Sequence, residues 1–159
     1  MKILVVFYSK SGHTKKVAEN LAKSLKADMD EIVDLKDRSG IKSCILGGRD
    51  GMKGSLTEIK TKKNPANYDL VILGTPIWAG NSTPAARTYV TKFKNKIKKL
   101  VIFVTADNSG PEKTVEVIEE IWGKKVEIFE GWITEDFKEN EKYREKATKF
   151  LEKIKETYF

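Results

Sequence analysis

Cysteine and histidine are almost missing from this chain of 159 residues: each occurs once, as Cys44 and His13. A His/Cys metal centre therefore has too few ligands, and Cys44 has no second cysteine to bridge, which fits a reducing compartment. No run of about eighteen apolar residues is available for a membrane span. The N-terminus passes straight into an apolar run, without the separate apolar core and cleavage site of a secretory signal. A cytoplasmic protein with no membrane insertion is expected. Two nucleotide signatures are also absent, the Gly-Lys-Ser/Thr ending of a P-loop and the Gly-x-Gly-x-x-Gly fingerprint, so ATP and NAD lose ground as resident ligands. Repeats and low-complexity segments are absent as well. With 40% hydrophobic residues, the length predicts one domain over 1–159 with a substantial core.

Acidic residues are fewer than basic ones, 23 against 30, giving a net charge of +7. The excess is uneven. Residues 1–27 carry six Lys against Glu19, residues 38–63 carry seven basic against two acidic, and residues 92–99 carry five unopposed Lys. Such a surface invites acidic proteins, nucleic acid or anionic cofactors, or is a solvated Lys-rich surface with ion-pair networks. The Lys92–Lys99 group has no interleaved aromatic except Phe93, which the helix stripe places inside, so nucleic acid is not expected as a partner.

What is present is organised by residues 2–27. The run Ile3-Leu4-Val5-Val6-Phe7-Tyr8 empties into Ser9-Lys10-Ser11-Gly12-His13-Thr14, and then Val17, Ala18, Leu21, Ala22 and Leu25 recur at helical spacing. This predicts strand, anion-binding loop and helix. Three hydroxyls and a glycine that admits close approach stand at the positive end of the helix, so a ligand phosphate is the natural occupant.

Further along, Met29, Glu31, Val33 and Leu35 alternate with Asp30, Ile32 and Asp34, which suits a short edge strand. Residues 38–63 hold Gly40, Gly47, Gly48, Gly51 and Gly54 and read as a long loop of functional kind. Leu70-Val71-Ile72-Leu73 and Leu100-Val101-Ile102-Phe103-Val104 read as strands buried on both faces. Ser82 or Thr83 caps a helix begun by Pro84, with Ala85, Ala86, Tyr89, Val90, Phe93 and Ile97 on its buried side. Pro111 and Glu112 open another helix through Val115, Ile118, Ile121 and Trp122, stopped by Gly123. Val126, Ile128 and Phe129 begin a fifth strand that ends at Gly131-Trp132, and the last helix buries Tyr143, Ala147, Phe150, Leu151 and Ile154. Alternating strands and helices imply an α/β fold with a parallel sheet covered on both faces. Ligands of such sheets bind beyond the carboxyl ends of the strands.

At that edge lie 9–14, the Gly-rich segment, Thr75-Pro76-Ile77-Trp78-Ala79-Gly80-Asn81 and Thr105-Ala106-Asp107-Asn108-Ser109-Gly110. A phosphoacceptor receiver needs an acidic pair after the first strand and an Asp after the third; Tyr8-Ser9 and Gly74-Thr75 stand there. A hydrolytic triad lacks a nucleophile and an orienting acid around His13. A phosphate cradle beside an aromatic, Trp78, on a Gly/Asn loop suits a flat heteroaromatic ligand with a phosphate tail, and flavin mononucleotide (FMN) fits that description.

On Phe7 to Thr14, Gly74 to Asn81 and Thr105 to Gly110, the chain resembles the flavodoxin family, short-chain type, over nearly its whole length. The resemblance implies a three-layer α/β/α sandwich with a five-stranded parallel sheet of order 2-1-3-4-5. It implies that Ser9, Lys10, Ser11, Gly12, His13 and Thr14 hold the FMN phosphate. It further implies that Thr75, Pro76, Ile77, Trp78, Ala79, Gly80 and Asn81, together with Thr105, Ala106, Asp107, Asn108, Ser109 and Gly110, flank the ring. Trp78 matches one of the family's two ring-stacking aromatics. The 105–110 loop offers no second, which leaves the other face to residues of 38–54. Electron transfer to redox partner proteins is the implied function, and because the chain is basic where soluble family shuttles are acidic, the expected partners present acidic docking surfaces. The alternatives are an FMN-dependent NAD(P)H reductase acting on a quinone or similar acceptor, and a flavin-free interaction module.

Overall fold

Along the first strand the side chains divide between two cores, and that division builds the molecule. In the computed structural model, which describes residues 1–36 and 55–159, Ile3, Val5 and Phe7 of β1 (Ile3–Phe7) join one apolar cluster, while Leu4 and Val6 join the other. A strand buried on both faces must be apolar at every position, which is why the run is continuous. The first cluster is closed by α1 (His13–Leu25), through Val17, Ala18 and Leu21, and by α5 (Asn140–Tyr158), through Tyr143, Phe150 and Ile154. The second is closed by α2 (Pro84–Phe93) and α3 (Glu112–Trp122), through Tyr89, Val90, Phe93, Val115 and Ile118. Helix, sheet and helix form the three layers expected.

Between them, β2 (Asp28–Glu31), β1, β5 (Leu70–Trp78), β7 (Leu100–Ala106) and β8 (Phe129–Ile133) pair in that spatial order, every neighbour parallel. Counted along the chain, these five strands have the order 2-1-3-4-5. Phe7, Gly74, Phe103 and Glu130 stand in one row across the sheet, so β1, β5 and β7 run out at a common edge. Three further short strands form two antiparallel pairings. β6 (Asn81–Ser82) folds back antiparallel on β5, and β3 (Val33–Asp34) pairs antiparallel with β4 (Ile59–Lys60).

Several sequence-based expectations need correction. The short edge strand is present as β2 but stops at Glu31; it buries Asp30, and Ile32 beyond it is buried too, whereas Met29, Val33 and Leu35 are exposed. The Asp30 carboxylate is satisfied by the amides of Lys62 and Lys63 at 2.9 and 2.7 Å, which offsets its desolvation. Residues 55–63 are not simply loop, since β4 lies among them; the rest of the Gly-rich segment, with Cys44, falls outside the described residues. The fifth strand starts at Phe129, with Val126 and Ile128 buried just ahead of it. A further helix, α4 (Thr134–Lys138), intervenes before α5. Thr83, rather than Ser82, caps α2, its hydroxyl accepting the Ala86 amide at 3.3 Å.

Candidate functional site

Beyond Phe7 the chain leaves the sheet and turns into α1 within five residues. Gly12 makes that turn at φ 95°, a left-handed conformation that side chains disfavour, and a Cβ there would find open space within 4 Å. The Ser9 hydroxyl oxygen accepts the amides of Gly12 and Lys15 at 3.2 and 3.3 Å, fastening the loop to the first turn. Among the described residues no protein acceptor takes the amides of His13 and Thr14. They belong to the first turn, where a helix has unpaired donors and its positive end. Such a loop presents N–H groups to an anion.

The other two segments lie beside it. Thr14, in the first turn of α1, and Thr105 of β7 share a buried hydroxyl hydrogen bond at 2.8 Å, which fastens the first segment to the third at the sheet edge. Tyr8 donates its amide to the Gly74 carbonyl at 3.0 Å, carrying the β1–β5 ladder one residue further. Trp78 is half-buried. Its ring meets Tyr8 edge-on, centroids 5.6 Å apart at 83°, and the Lys10 ammonium lies 5.8 Å from its centroid. Thus Trp78 is both a packing residue and one wall of the edge where a ligand is expected.

Thr75 to Asn81 proves to be a hairpin rather than an open loop. Trp78 pairs with Asn81 across a two-residue turn of Ala79 (φ 49°) and Gly80 (φ 75°). The primed geometry matches strand twist, but Ala79 bears roughly 1 kcal/mol of left-handed strain. The base of the hairpin is fixed from below: Thr75 and Thr83 hydroxyls lie 3.0 Å apart, and the buried Arg87 guanidinium donates to the carbonyls of Ser82 and, at 2.8 and 3.1 Å, Ser55. Pro76 and Ile77 are part-buried, and Asn81 is buried, its side-chain oxygen accepting the Ser82 amide. In the third segment Ala106 is part-buried, whereas Asp107, Asn108, Ser109 and Gly110 are exposed. Asp107 is held by Thr134, whose hydroxyl donates to its carboxylate at 3.0 Å.

All three predicted segments therefore reach one edge. Three residues beyond them also belong to the neighbourhood: Tyr8, Arg87 and Phe137. Phe137 of α4 stacks on His13 with centroids 4.4 Å apart and planes 12° from parallel. The signal available in the sequence was topological: whatever follows the fifth strand leaves the sheet at the same edge. Beneath Phe137, Asp136 is buried in contact with Lys146 at 2.7 Å and the Ile133 amide at 2.9 Å. Burial works to raise its pKa, but these bonds and the charges of Lys146 and Lys142 hold the carboxyl below the usual range.

The family described as Flavodoxin matches residues 2–153. The chain belongs to the flavodoxin family. Solved structures agree with this flavodoxin assignment. A flavoprotein of Lactobacillus acidophilus, in complex with FMN, is 25% identical with a TM-score of 0.71 and covers 86% of this chain and 96% of its own. Two others, below 25% identity, share the fold. The WrbA-like flavodoxin of Agrobacterium tumefaciens has 16% identity, TM-score 0.61 and 98% coverage of both chains. Oxidised Flavodoxin 2 of Bacillus cereus has 22% identity, TM-score 0.54 and coverage of 96% and 99%. No described helix of this flavodoxin is long and apolar enough to cross a membrane.

Proposed function

We propose that this chain binds FMN at the carboxyl edge of its sheet and works as an electron carrier between redox partners. The reading rests on one observation: an open loop at the start of α1, with unpaired His13 and Thr14 amides, lies beside the Trp78 hairpin and the Thr105–Gly110 segment. The first takes the phosphate, through amides and the hydroxyls of Ser9, Ser11 and Thr14, with Lys10 and His13 adding donors. Thr75 to Asn81 and Thr105 to Gly110 flank the ring, with Trp78 on one face. The flavin supplies the one- and two-electron chemistry; the protein supplies binding, orientation and local charge.

The basic surplus bears on partner choice. Lys92 to Lys99 precede β7 and so lie at the opposite edge of the sheet, whereas Lys10, Lys15 and Lys16 are exposed around the phosphate loop. An electron-transfer partner approaching the flavin meets the latter three, and an acidic patch on that partner complements them.

Addition of FMN to the purified protein is expected to give a yellow 1:1 complex that takes up electrons from dithionite while oxidising NADPH at a negligible rate. A protein that stays colourless overturns the reading. Rapid turnover of NADPH with a quinone moves it to the reductase class.

A further inference from the structure

The phosphate loop is flanked by aromatic side chains that lie outside both the motif and the ring-flanking segments. His13 is the first residue of α1 and is exposed to solvent, where an imidazole would ordinarily sample several rotamers. It does not stand alone. Its ring lies flat on Phe137, and one turn along α1 the Lys16 ammonium sits 5.9 Å from the same Phe137 ring and 5.0 Å from Tyr143. One aromatic pair thus gathers His13 and Lys16 at the helix start. Phe137 and Tyr143 are themselves 5.5 Å apart, and the Tyr143 hydroxyl accepts from Asn20 at 2.9 Å, which joins α5 back to α1.

The support is rigid. α4 is short and would not persist by itself. It is fixed by Asp136, which is fully buried and accepts from the Ile133 amide and Lys146, while Lys146 also donates to the Gly131 carbonyl at 2.9 Å. Thr134, at the other end of the same helix, holds Asp107. A five-residue helix therefore braces the phosphate loop on one side and the Thr105–Gly110 segment on the other.

From this geometry we propose that Phe137 is a positioning residue for phosphate recognition: its ring holds His13, and with it Lys16, in place beside the anion loop. The proposal rests on the FMN reading. Preorganised side chains lose less freedom when the ligand arrives, so the gain appears as affinity for the phosphate-bearing flavin. Riboflavin, which lacks the phosphate, should not sense it.

The test measures dissociation constants for FMN and riboflavin with wild type, Phe137→Leu, Phe137→Tyr, His13→Ala and the Leu/Ala double variant. Leu keeps most of the apolar packing and removes the flat face; apo melting curves verify folding. Phe137→Leu is expected to weaken FMN binding about fivefold while leaving riboflavin within about twofold. Tyr should restore the wild-type value. The double variant should weaken FMN binding by less than the product of the two single losses, since His13 is one of the two groups through which Phe137 acts. Equal losses for both flavins, no loss for FMN, or multiplying effects in the double variant overturn the proposal while wild-type binding upholds the FMN reading. A wild type that binds neither flavin overturns both.

Discussion

Replacing Gly74 with alanine tests the packing that delivers β5 to the site. A Cβ on Gly74 would lie 2.1 Å from Cζ of Phe103 and 2.7 Å from both Cε atoms, all inside contact distance. The ring has no easy retreat. Phe103 is fully buried, meets Trp132 edge-on at 6.2 Å, and Trp132 is in turn held edge-on by Phe150 at 5.6 Å. Overpacking of this kind costs about 1–3 kcal/mol, while the lower chain entropy of alanine returns about 0.5–1 kcal/mol. At the middle of these ranges the clash wins by roughly 1 kcal/mol, which for a chain of this size lowers the melting temperature by about 2–4 °C. Thermal and urea denaturation read the effect, and Phe103→Leu in the Gly74→Ala background separates its origin: if the ring is the obstacle, the double variant is more stable than the sum of the two single losses. Because Gly74 leads into Thr75 and Pro76, the strained variant should also bind FMN more weakly. A Gly74→Ala protein as stable as wild type would refute the argument.

Other consequences are simpler to measure. Ala79→Gly removes the left-handed strain of the hairpin turn and should raise the melting temperature, by about 1 kcal/mol of stability less the entropy of an added glycine. Thr83→Ala removes both the α2 cap and the hydroxyl contact with Thr75, an expected loss of about 1–2 kcal/mol in urea unfolding. For Asp136, a carboxyl held below its ordinary value stabilises the fold in full above about pH 4, the unfolded range, and loses that contribution as the pH falls through the lower folded value. Asp136→Asn should therefore cost about 2 kcal/mol at pH 7, less than a fully buried pair because Lys146 is partly exposed; the gap to wild type should close below about pH 4.

How far the sequence could be read follows from which forces are local. β1, β5 and β7 are legible because strands buried on both faces must be apolar throughout, and α1, α2, α3 and α5 because one stripe of each meets the sheet. The loops were legible because their turn residues and hydroxyls have chemistry of their own. The edge strand was legible as short, but neither its end nor its buried residue was: the chain breaks at Ile32, whose amide binds the Phe7 carbonyl, and the partners of Asp30 come from Lys62 and Lys63. The hairpin was hidden by Ala79, a residue that turn statistics would not place at positive φ. Arg87 and Phe137 had no local signal at all: a buried guanidinium on backbone carbonyls and a phenyl beneath an imidazole exist only once the elements are assembled.

In the proposed binding mode the loop at the start of α1 receives the phosphate of a flavin whose ring lies against the Trp78 hairpin. Parallel titrations of the unaltered protein with FMN and riboflavin test it most directly. The expected result is 1:1 binding of FMN with an affinity about tenfold or more above that of riboflavin, the difference falling with added inorganic phosphate. Equal affinity for the two flavins would contradict it.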